Sequence, residues 1–132
     1  MVELPTDVQD DEWLARYLLY RRYIRRDGTD LIKPEAFIPH PRSDLSVTRH
    51  LGLGESRIWE VGRDVASQTG KTLYGRADMI TADFTRHRLS VNPDPIPGNP
   101  NHANVSNWPA DKPSQKMIAI EIAKDAGKAK FF

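Results

Sequence analysis

The chain has no cysteine, so neither a disulfide nor a zinc site built on thiolates can hold it together. It has no long apolar run. Stretches such as Phe37-Ile38 or Met117 to Ile120 fall far short of the roughly 20 residues that cross a bilayer. It also lacks a strong charge of either sign, with 19 basic against 18 acidic side chains and a net charge of +1. A domain that draws its affinity mainly from neutralising phosphates is expected to be far more basic. The first residues, Met1 to Asp11, are acidic and carry a proline, unlike the basic and then apolar start of a secretion signal. The expectation is a cytoplasmic protein with no membrane segment.

Familiar catalytic signatures are missing as well. There is no phosphate-binding Walker loop, no G-x-G-x-x-G and no G-x-S-x-G elbow. None of the four histidines stands at the spacing of a helical metal motif, so no metal and no cofactor is expected. Gly52-Leu53-Gly54 precedes a helix, but Glu55 follows at once and would oppose an incoming anion.

What is present is enough for one core. A chain of 132 residues buries roughly two thirds of its unfolded surface, so residues 1–132 are expected to form a single domain. Residues 1–9 read as a loosely held N-terminal arm. Trp13, Leu14, Tyr17 and Leu18 recur at helical spacing behind an acidic start, which predicts a helix from about Asp10 to Tyr20. Residues 20–26 fit either a continuation of that helix or a strand. From Leu31 to Arg49, Pro34, Pro39 and Pro41 forbid a long helix, and Leu45 to Arg49 alternates like a half-buried strand.

A second helix is predicted over Glu55 to Gln68, with Ile58, Val61, Gly62, Val65 and Ala66 on one face and Gly70 ending it. Short strands are predicted at Leu73 to Ala77 and Leu89 to Val91, with a helical turn capped by Thr81 between them. Residues 92–109, with five prolines and five asparagines, read as one long ordered loop. The last helix starts at Asp111 as N-cap, with Gln115 helping to satisfy free amides, and stops at Gly127. Its apolar residues, Met117, Ile118, Ile120, Ile122 and Ala123, spread round the circumference and predict heavy burial. The tail is expected to dock through Phe131 and Phe132, and Trp13 and Trp59 to pack internally. The fold class is α+β, a small antiparallel or mixed sheet packed against about three helices.

Candidate functional residues fall into two groups. Arg21, Arg22, Arg25 and Arg26 with Tyr23 combine guanidinium forks for phosphate with a ring that stacks on bases. Asn101 in the long loop and Trp108 beside Pro109 add hydrogen-bonding and aromatic contacts of the kind that anchor partners. This group predicts a small binding or assembly subunit, with another protein as partner and with nucleic acid or a phosphate-bearing ligand as a further one. The alternative is a compact enzyme in which His102 or His50 moves a proton near neutral pH and Arg76 holds an anionic substrate.

Overall fold

A computed structural model describes residues 7–39 and 44–132. The N-terminal arm expected over residues 1–9 lies mostly outside the described residues, as does the middle of the extended stretch from Leu31 to Arg49. Among the described residues ten elements follow one another, and five are strands: β1 (Trp13–Leu18), β2 (Leu45–Arg49), β3 (Gly75–Ile80), β4 (Ser90–Pro93) and β5 (His102–Ser106). They form one fully antiparallel sheet in the order β3-β1-β2-β5-β4. The α-helices are α1 (Glu55–Gln68), α2 (Ala82–Thr85) and α3 (Lys112–Ala126). Short 3-10 turns stand at Arg21–Tyr23 and Pro34–Phe37.

The helix expected over residues 10–20 is instead β1, and the reason is its position. It runs between β3 and β2, with Leu14 and Leu18 buried on one face and Ala15 and Tyr17 on the other. A strand covered on both faces loses the simple alternation that marks a half-exposed one, and its apolar residues then satisfy a helical period by accident. Trp13, expected inside, is 52% exposed at the strand's start, whereas Trp59 is buried.

One helix or more covers each side of the sheet. Helix α1 packs Ile58 and Val61 on Ala15 and Tyr17, where Gly62 lets the helix approach the Tyr17 ring closely. It ends as predicted. Gly70 adopts φ +67, and the Gly70 and Lys71 amides donate back to the carbonyls of Ser67 and Ala66. The other face carries α2, α3 and the Pro34–Phe37 turn, whose side chains join Leu14, Leu18, Val47, Met79 and Val105 in the larger core.

Four further expectations are corrected. The 92–109 loop contains the end of β4 and all of β5, paired from Ser90↔Ser106 to Pro93↔Ala103, so the irregular part shrinks to residues 94–101. Pro93 is tolerated there because β4 is an edge strand. Thr81 makes no side-chain cap; its hydroxyl donates to the Glu12 carbonyl across the fold. In α3, Asp111 caps the Ser114 amide at 2.9 Å, but Gln115 donates to the Pro109 carbonyl rather than accepting an amide. Only Ala119, Ile122 and Ala123 of α3 are buried, while Met117 is 69% and Ile120 43% exposed.

A candidate anion-binding pocket

Leu18 of β1 lies beside Gly75 of β3, and past this end of the sheet the chain makes an excursion over residues 19–33. Its base is a narrow antiparallel bridge. Ile24 faces Ile32, the Arg25 amide donates to Leu31, and the Lys33 amide donates to Tyr23. Both isoleucines are buried in the larger core, so the excursion is anchored by its apolar pair. Asp27 turns the tip by accepting the Thr29 amide at 3.0 Å, with Gly28 at φ +87. The C-terminal segment crosses alongside, bridging Leu31 to Lys128 and Arg76 to Lys130.

These segments enclose a pocket of about 420 Å³. Arg21, Arg25 and Arg26 line it together with Ile24, Tyr74 and Phe131. Among the described residues, none of the three arginine side chains makes a hydrogen bond or ion pair. One carboxylate, Asp30, also faces the pocket, so three cations stand against one anion.

Beside this pocket Arg22 is differently employed. It stacks 4.4 Å over Tyr20 and 5.6 Å from Tyr23 and pairs with Glu35 at 3.3 Å. Tyr23 meets Tyr20 edge to face at 5.1 Å and packs against the core, so it is no free stacking platform. Lys71 lies 4.6 Å over the Tyr20 ring, and its hydrogen bond holds the Tyr20 phenol below the usual range.

The remaining candidates lie elsewhere. Arg76 is 1% exposed and lies 4.7 Å over the Trp59 ring. Its Nε and Nη2 each donate to Asp78 at 2.9 Å, and Nη2 also donates to Glu55 at 2.8 Å. Burial alone would lower the Arg76 pKa, but these two carboxylates outweigh it and raise it. His50 Nε2 approaches Asp78 Oδ1 at 3.2 Å without hydrogen-bond alignment. The structure thus brings His50 and Arg76 to one carboxylate. Burial would raise the Asp78 carboxyl, yet His50 and Arg76 together hold it low.

His102 stands apart from that group. Its Nδ1 lies 2.8 Å from the Asp94 carbonyl and 3.3 Å from Asp94 Oδ2, and Asn104 donates to the same carboxylate. Asn101 is buried and donates at 2.8 Å to the carbonyls of both Arg49 and Leu51, which ties the loop to the end of β2. Trp108 is half-buried against the core and donates to the Val105 carbonyl. His50 and His102 belong to the end of the sheet where Leu14 pairs with Arg49 and Thr48 with His102, opposite the arginine pocket.

Among the described residues no group of three or more histidine, aspartate or glutamate side chains is placed to hold a metal ion, and no helix is long and apolar enough to cross a membrane. Tyr74 and Phe131 were not foreseen in the pocket. Nothing local in the sequence marks them, because the strand entry and the tail reach Arg21 only through tertiary contacts. No family model, curated protein or solved structure matches the chain.

Proposed function

We propose that this chain is a small cytoplasmic binding or assembly subunit that takes a phosphate-bearing ligand in the pocket of Arg21, Arg25 and Arg26. One observation carries this reading. Arg21, Arg25 and Arg26 line one pocket, and their side chains have no ion-pair partner among the described residues. By contrast Arg49 pairs with Glu12, Arg76 with Glu55 and Asp78, and Arg86 with Asp83. A cluster of like charges has a folding cost, which a bound anion removes. Guanidinium offers phosphate two parallel donors, and the rings of Tyr74 and Phe131 suit a flat apolar group attached to it. A volume of about 420 Å³ lies in the ordinary range for a small-molecule site.

The enzyme reading has less to stand on: His50 and Arg76 meet at Asp78, but Arg76 is buried and already holds two carboxylates, and His102 is remote from it in the sheet. Calorimetric titration with nucleotides, sugar phosphates and a short oligothymidylate, at low and raised salt, tests the proposal. Saturable binding that Arg21→Ala and Arg26→Ala each weaken about tenfold, or about 1.4 kcal/mol, is the expected result. Binding untouched by either substitution, or none with any of these phosphates, overturns it.

A further inference from the structure

The exposed apolar residues of α3 are not scattered. Ile120 lines, with Pro34 and Ile38, a hollow of about 260 Å³ between α3 and the Pro34–Phe37 turn. It also lines, with Leu31, Ile32 and Ala123, an adjoining hollow of about 180 Å³. Met117 stands one helical turn before Ile120 and is more exposed still. The rim of this apolar groove is cationic. Arg25 borders both hollows, Lys33 and Lys116 border the first, and Lys124 the second. Among the described residues Arg25, Lys33 and Lys116 have no ion-pair partner. Lys124 is paired with Glu121 at 3.2 Å, and Glu35, the carboxylate on the rim, is already paired with Arg22.

We propose that this groove docks an acidic amphipathic segment of a partner protein. The segment's apolar side chains fill the two hollows over Ile120, and its carboxylates meet Arg25, Lys33 and Lys116. Nucleic acid fits less well, because the floor is aliphatic and offers bases no ring to stack on. A lipid surface fits less well because the apolar side chains line hollows rather than project from a convex face. The docking surface goes beyond the phosphate pocket and does not depend on it; Arg25 is the residue they share.

The test uses two fluorescent synthetic peptides, an amphipathic helix of Leu, Ala and Glu and its twin with Lys in place of every Glu. Anisotropy is read against the full chain, alongside phosphatidylserine vesicles and oligothymidylate. The acidic peptide is expected to bind saturably and its basic twin not. Ile120→Asp and Lys116→Glu should each weaken binding at least tenfold, while Arg21→Ala and Arg26→Ala leave it unchanged. Both altered side chains are substantially exposed, so the variants are expected to keep the fold, which circular dichroism checks. Equal binding of both peptides, no binding of the acidic one, or binding indifferent to Ile120→Asp overturns the proposal. So does binding of vesicles or oligothymidylate through Ile120 while the acidic peptide is ignored. Failure of the phosphate pocket would register instead at Arg21 and Arg26 with the nucleotide probes, so the two outcomes are separable.

Discussion

Asp78 and Arg76, two residues apart on β3, point to the same face of the sheet and share a pair of parallel 2.9 Å hydrogen bonds. Through this pair three separate parts of the chain are joined. Glu55 brings in the first turn of α1, Lys130 brings in the C-terminal segment at 3.0 Å from Glu55, and His50 brings in the end of β2. The guanidinium is nearly inaccessible, so its charge is balanced by the neighbouring carboxylates rather than by water.

Removing one partner should therefore hurt. Asp78→Ala leaves a buried guanidinium with Glu55 alone, and a loss of about 3 kcal/mol is expected from urea unfolding. Arg76→Met, which removes the charge but keeps the stem on Trp59, should cost less.

The same network predicts an acid limb. Hydrogen bonds from Arg76 and Lys130 depress the Glu55 carboxyl from its ordinary 4.5 to about 2. A carboxyl depressed in the folded state contributes stability that is complete above its unfolded value. That contribution is lost as pH falls through the folded one. Stability should thus begin to fall as pH drops below about 4.5 and keep falling towards 2. Glu55→Gln should flatten this part of the curve. An unchanged slope in thermal melts across that range would show that Glu55 is not linked to folding.

Close approach rather than charge governs the other contact of α1. A Cβ on Gly62 would lie 2.6 and 2.8 Å from two atoms of the Tyr17 ring. Tyr17 cannot simply swing aside, since its hydroxyl donates to the Ile58 carbonyl at 2.6 Å. Gly62→Ala is expected to destabilise by about 2 kcal/mol despite the better helix propensity of alanine. Tyr17→Leu in the same chain should recover part of that loss, giving clear non-additivity in a double-mutant cycle.

How far the sequence could be read follows from which forces act locally. Helix α1 was legible to the residue, because its apolar stripe, its Gly70 terminator and its polar outer face all lie within one continuous segment. The N-cap at Asp111 was legible for the same reason. β1 was not, since the strands that pair with it are remote in sequence and the elements that cover its two faces erase the alternation. β5 was hidden by Asn104, whose amide answers Asp94 across the hairpin instead of marking a loop. On the candidate site, the run Arg21 to Arg26 was visible as composition. What separated Arg22 from its neighbours was not, because Glu35 reaches it only once the Pro34–Phe37 turn forms.

Asn101 gives the last prediction, and it distinguishes a building residue from a binding one. Its amide donates to two carbonyls on the far side of a tight loop, and its own carbonyl accepts the Arg49 amide at 2.9 Å. Alanine keeps the backbone bond but orphans the Arg49 and Leu51 carbonyls, at a cost of about 2 kcal/mol. If Asn101 acts only as this clasp, Asn101→Ala lowers the unfolding midpoint while phosphate titration at the arginine pocket keeps its affinity. Loss of affinity in a variant that remains folded would count against a purely structural role, because the clasp lies at the end of the sheet opposite the arginine pocket.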